Sequence, residues 1–113
     1  MPDTPPPTNT AALAKRRKDL TPDATKAFEA FSRAVFADGA LDEKTKHLIA
    51  VAVAHVTQCP YCIKGHTRAA QRHKASEAQI MEAIWVAAEM RAGGAFAHSV
   101  LALEEMEKAA TKD

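Results

Sequence analysis

The stretch Leu48-Ile49-Ala50-Val51-Ala52-Val53-Ala54-His55-Val56 most constrains what this chain can fold into. It is the most apolar run in the sequence, and it is apolar on every side of a helix rather than along one stripe. It also contains a histidine and is far shorter than the roughly 20 residues a membrane span needs. A helix of this kind is buried at the centre of a packed unit. Val and Ile alternating with Ala also fit a buried strand, but no other segment offers a strand partner, so the run is read as helix.

The flanking segments carry helix punctuation. Thr21-Pro22 places an N-cap before a proline at the first helical position, and Phe28, Phe31 and Val35 follow at helical spacing. Asp38-Gly39 is expected to end that helix and Asp42 to cap the next. Cys59-Pro60 repeats the Thr21-Pro22 logic. Ser76-Glu77-Ala78-Gln79 is a capping box ahead of Ile80, Ile84 and Ala87. Gly93-Gly94 is expected to break the chain before a last helix marked by Phe96, Val100, Leu103 and Met106. Ala11 to Leu20, with Lys15, Arg16, Arg17 and Lys18, reads as a short basic surface helix. Pro5-Pro6-Pro7 makes residues 1–12 a disordered tail. The expected architecture is all-α, with five main helices in a single domain over residues 13–113.

A chain of 113 residues makes one domain with a thin core, so burial through oligomerisation is expected. The net charge of +1 and the 5 % aromatic content give no footprint for nucleic acid. Two cysteines are too few for a secreted disulfide scaffold, and Met1 to Thr10 has no apolar signal core. These features point to a soluble cytoplasmic protein without a membrane partner.

The two cysteines stand in Cys59-Pro60-Tyr61-Cys62-Ile63-Lys64-Gly65-His66. With Cys59 at the N-cap, its sulfur meets the free N–H groups of the first turn and the positive end of the helix dipole, both of which favour a thiolate. His66 lies one turn after Cys62, on the same face, where it is able to take that thiol's proton. Sequence thus activates both sulfurs, by different means, and such a pair closes to a disulfide through an intermediate on one sulfur. Two unrelated buried cysteines are the plainer alternative. A zinc site of His55, Cys59, Cys62 and His66 is a third. Residues 55 and 66 on one straight helix would be about 16 Å apart, so only a sharp break near Gln58 would bring them together. No metal is expected.

The segment Leu41 to Ala54, followed by Cys59-Pro60-Tyr61-Cys62-Ile63-Lys64-Gly65-His66-Thr67-Arg68-Ala69-Ala70, resembles the carboxymuconolactone decarboxylase / alkylhydroperoxidase D-like superfamily over roughly residues 20 to 110. Gly93-Gly94 and the alanine-rich helix with His98 are also similar. The resemblance implies an all-helical fold assembled as a homotrimer or homohexamer. In the peroxidase branch it implies Cys62 as the peroxide-attacking thiolate, Cys59 as its resolving partner and His66 as the base. That branch has a glutamate twelve residues before the first cysteine; here the residue is His47, a titratable group whose own role is open, and Glu43, one turn earlier, is a poor direct substitute. Tyr61 stands where the founding peroxidase has a histidine.

His55, Tyr61 and His98 are candidates to line the thiol pocket, with a core or structural role as the alternative for the two histidines. His73, between Arg72 and Lys74, reads as a surface residue at a helix end, and Met81 and Trp85 as core or subunit interface. The expected activity is a thiol-dependent hydroperoxidase or disulfide reductase with an antioxidant role. It would bind no cofactor and would draw on an external dithiol, such as a lipoyl-bearing adaptor. The alternatives are a redox-sensing oligomer without efficient turnover, or a decarboxylase or lactone-processing enzyme of the same superfamily.

Overall fold

The structure, a computed structural model, describes residues 10–111. Its described residues form five α-helices and no strand: α1 (Thr10–Leu20), α2 (Pro22–Phe36), α3 (Glu43–Thr57), α4 (Pro60–Arg72) and α5 (Glu77–Thr111). The all-α expectation holds. Of the expected N-terminal tail, residues 1–9 lie outside the described residues, and Thr10–Ala12 belong to α1. The chain divides into two compact units, one up to Ala37 and one from Asp38 onward.

The first unit is the α1–α2 pair. Thr21 stands at the α2 N-cap, with Pro22 inside the first turn, but its hydroxyl donates backward to Arg17 O at 3.0 Å and makes no cap bond to α2. The threonine side chain therefore closes α1, while its carbonyl opens α2 by accepting from Thr25 N at 3.1 Å. Lys18 pairs with Glu29 across the two helices at 3.4 Å, and the basic run is otherwise solvated. Phe28 and Phe31 pack ring against ring at 6.2 Å while staying exposed.

The second unit packs α3 against both α4 and α5. Its core is Val51 from α3, Ala70 from α4 and Ile80 from α5, with Leu48, Ala75 and Ile84 against them. Alanines 54, 69 and 87 are buried as well, and their small side chains let the helix backbones approach. The all-round apolar α3 is buried on one side only: Ile49, Val53 and Val56 are exposed. Val53 and Val56 instead line an open apolar groove of about 590 Å³ with Val86, Met90 and Gly94 of α5.

Gly93-Gly94 does not break the chain. Helix α5 runs through both glycines, neither of which has a positive φ. Glycine in a helix interior costs only about 1 kcal/mol relative to alanine, and with no proline nearby the flanking alanines carry the helix across. Met81 and Trp85, expected in a core or an interface, are exposed, Trp85 to 68 %.

Candidate active site

Two aspartates fix the start of α3. Asp42 Oδ1 accepts from Thr45 N at 2.8 Å and Asp38 Oδ1 from Glu43 N at 2.7 Å. Donation from Thr45 holds the Asp42 carboxyl below the usual carboxylate range. This cap sets Glu43 in the first turn and His47 one turn later, on the same face. At the other end, Gln58 adopts the left-handed conformation (φ 58°), and the N–H groups of Gln58 and Cys59 both reach Ala54 O. A left-handed C-cap satisfies the last carbonyls and reverses the chain. Arg91 adds a hydrogen bond to Val56 O at 2.8 Å.

Helix α4 starts directly after this turn. Cys59 is its N-cap, Pro60 occupies the first turn, and the Cys59 sulfur accepts from Cys62 N at 3.2 Å. Cys59 and Cys62 are joined in a disulfide with their Cα atoms 5.3 Å apart, and both are half-buried. The cap role expected for Cys59 is present in the backbone geometry.

Packing of α4 on α3 brings His66 to His47, with Nδ1 to Nδ1 at 3.0 Å. His47 is only 6 % exposed. Its Nε2 lies 3.2 Å from Glu43 Oε2, and His73, the C-cap residue of α4, sets its own Nε2 3.1 Å from the same oxygen. The His73 ring stacks on His47 at 5.5 Å. The result is a chain of four side chains in the order His66, His47, Glu43, His73.

The hydrogen positions follow from what each atom is able to do. A carboxylate only accepts, so His47 Nε2–H and His73 Nε2–H donate to Glu43. Neutral His47 then has a bare Nδ1, which accepts from His66 Nδ1–H. That tautomer leaves His66 Nε2 as the basic nitrogen. Burial pushes the His66 pKa below its usual value, and the neighbouring His47 adds to the shift. His66 is therefore kept neutral, in the form that takes a proton. A proton arriving at Nε2 allows the Nδ1 proton to pass to His47, whose charge Glu43 then balances.

Two further candidates make their hydrogen bonds within their own helices. His55 is half-buried and donates from Nδ1 to Val51 O of its own helix at 2.7 Å. His98 is exposed and donates likewise to Gly94 O at 2.7 Å. Tyr61 is 68 % exposed. The sharp break at Gln58 exists, yet His55 turns onto its own helix and the two sulfurs bond to each other.

The histidine at position 73 is not the bare surface residue that the sequence suggests. Its neighbours come from α3, and no periodicity within α4 signals them. Glu43 had a signal in its i,i+4 spacing to His47. It does not replace a glutamate at position 47; it stands behind His47 and touches that residue in place of His66. Glu43, His47 and His73 each offer one donor atom, all within 4.8 Å of one another.

Comparison with known proteins matches residues 22–105 to the carboxymuconolactone decarboxylase family. An uncharacterised protein of the cox locus in Paracoccus denitrificans is 66 % identical over 82 residues, covering 73 % of this chain and 74 % of that protein. The crystal structure of a carboxymuconolactone decarboxylase family protein from Legionella pneumophila is 37 % identical with a TM-score of 0.67, covering 88 % of each chain. A family protein from Thermotoga maritima, for which a part in the antioxidative response has been suggested, is 32 % identical with a TM-score of 0.54, covering 76 % of this chain and 95 % of that one.

Proposed function

This chain belongs to the carboxymuconolactone decarboxylase family, and from that premise we propose that it is a thiol-dependent hydroperoxidase cycling between a Cys59–Cys62 dithiol and its disulfide. The observation that carries the reading is the presence, on one helix, of a disulfide-forming pair and, one turn after Cys62, the half-buried His66, held by His47 at 3.0 Å. The antioxidative role suggested for the Thermotoga relative is in keeping with it.

In the cycle, His66 Nε2 takes the proton of Cys62, and the relay through His47 to Glu43 spreads the charge. The Cys62 thiolate attacks the distal oxygen of the hydroperoxide. The O–O bond breaks, the alkoxide takes up a proton and leaves as an alcohol, and Cys62 becomes a sulfenic acid. Cys59, whose thiolate is favoured by the Cys62 N–H and the helix dipole, displaces hydroxide from that sulfur. With one proton the hydroxide leaves as water, and the disulfide is formed. An external dithiol of the lipoyl kind then restores the pair by two exchanges and becomes a disulfide itself. This need for a thiol reductant is in keeping with a reducing compartment such as the cytoplasm. No helix among the described residues is long and apolar enough to cross a membrane.

The test is rapid mixing of fully reduced protein with an organic hydroperoxide, following free thiols and intact mass. The expected product is the intramolecular disulfide, two hydrogens lighter, formed with saturable kinetics. Cys62→Ser should abolish fast oxidation, and oxidation of that variant at the parent rate would reverse the roles of the two sulfurs. Slow, non-saturating oxidation of the parent protein would favour a redox sensor. Inert thiols would remove the peroxidase reading.

A further inference from the structure

Glu43 and His73 lie on the side of His47 away from His66, and the three side chains share the features of a metal centre. We propose that these three side chains bind a first-row divalent cation of the Zn²⁺ class, through Glu43 Oε2, His47 Nε2 and His73 Nε2, with water in the remaining position.

Ligands held at 2.0–2.1 Å around a tetrahedral ion lie roughly 3.3 Å from one another. Glu43 Oε2 is 3.2 Å from His47 Nε2 and 3.1 Å from His73 Nε2, and all three donor atoms fall within 4.8 Å. The two carboxylate–imidazole edges of a coordination polyhedron are therefore already formed. The imidazole–imidazole edge lies within 4.8 Å, and His73, at the C-cap of α4 with its side chain 38 % exposed, is the outer of the two imidazoles.

The donor chemistry selects the class of ion. Two imidazoles and one carboxylate suit Zn²⁺, Co²⁺ or Ni²⁺ and not the all-oxygen preference of Ca²⁺ or Mg²⁺. A metal-binding histidine is oriented by a hydrogen bond from its other ring nitrogen. When His47 Nε2 takes the ion it gives up its hydrogen, so Nδ1 carries the ring proton and donates to His66 Nδ1 at 3.0 Å, the reverse of the metal-free arrangement. The site is also reachable: the side chains of Glu43 and His73 are 34 % and 38 % exposed, while that of His47 is 8 % exposed. An ion would enter past the two outer ligands and come to rest against the buried one. The carboxylate and two neutral imidazoles carry one negative charge, which a divalent cation turns into a net positive one shared with water.

The proposal stands on this geometry and not on the peroxidase reading, and its test keeps the two apart. Tag-free full-length Cys59→Ser/Cys62→Ser protein is titrated with Zn²⁺ by calorimetry and with Co²⁺ by visible absorption. The disulfide-bonded parent protein is the second sample should the double variant fail to fold. The expected result is one ion per chain, with a Co²⁺ ligand-field spectrum and no sulfur-to-metal charge transfer. Glu43→Gln and His73→Asn should each weaken binding at least about tenfold, and His98→Asn should leave it unchanged. Absence of saturable binding in both samples would overturn the proposal, as would binding that both variants leave intact. Binding seen only in the reduced parent protein would place the ion on the thiolates and overturn it too. A chain that binds the ion yet ignores hydroperoxide would keep the site and lose the peroxidase reading.

Discussion

At the level of single residues, His66 carries the clearest electrostatic signature. Burial, with His47 adding to it, lowers its pKa below the ordinary value of 6.5. The unfolded chain therefore binds a proton more readily than the folded one between that lowered value and 6.5. Stability is full above pH 6.5 and falls as the pH drops through the folded-state value. Urea titrations at pH 7.5 and 5.5 should show a larger loss for the parent protein than for His66→Gln. An equal loss in the two would mean that His66 titrates as a solvated imidazole. The Cys59–Cys62 pair was legible from spacing alone, because the two residues sit within one turn at the start of one helix. Glu43 was visible as the i−4 neighbour of His47, although its place behind that ring was not. His73 was illegible, since the contact that gives it meaning is made between helices and leaves no periodic trace in either.

Among the elements, the helix boundaries that rest on a polar cap were readable and those that rest on backbone strain were not. Asp42 and Ser76 cap α3 and α5 as their sequences suggest, with Ser76 Oγ accepting from Gln79 N at 3.1 Å and Gln79 Oε1 accepting from Ser76 N at 2.9 Å. The left-handed turn at Gln58 uses a residue that pays a steric penalty there, so no glycine announces it. Conversely, Gly93-Gly94 announces a break that α5 does not make. A Cβ at Gly94 would meet nothing within 4 Å, whereas one at Gly93 would lie 3.3 Å from the flexible Glu89 carboxylate. Gly94→Ala should therefore stabilise the protein by about 1 kcal/mol in urea unfolding. A loss of stability would mean that atoms of another chain fill the open space beside Gly94.

Across the whole molecule, the described residues leave a large apolar surface open. The buried apolar set of the described residues is one valine, one isoleucine and four alanines. Outside it, α5 leaves Phe96 82 % exposed, with Val100, Leu103 and Met106 open along the same helix. Patches of this kind mark association surfaces, and we propose a second copy of this chain as the occupant, in the homotrimer or homohexamer expected from the family resemblance. Light scattering coupled to size exclusion should give a mass above that of the 12.2 kDa chain, and Phe96→Asp should shift it toward the monomer. A parent protein already monomeric at micromolar concentration would remove the assembly. The fold class was readable because caps and apolar spacing are local. The exposed faces were not, because an apolar stripe reads the same whether its partner is in the same chain or another. One property of the site bears on its history during synthesis. Glu43, His47, both cysteines, His66 and His73 come from one uninterrupted stretch, the α3–α4 hairpin. Loop closure over so short a separation is entropically cheap, and contacts of low sequence separation form early. The thiols and their bases are thus expected to meet before α5 has packed against the hairpin, so that each new chain faces oxidants before it has finished folding.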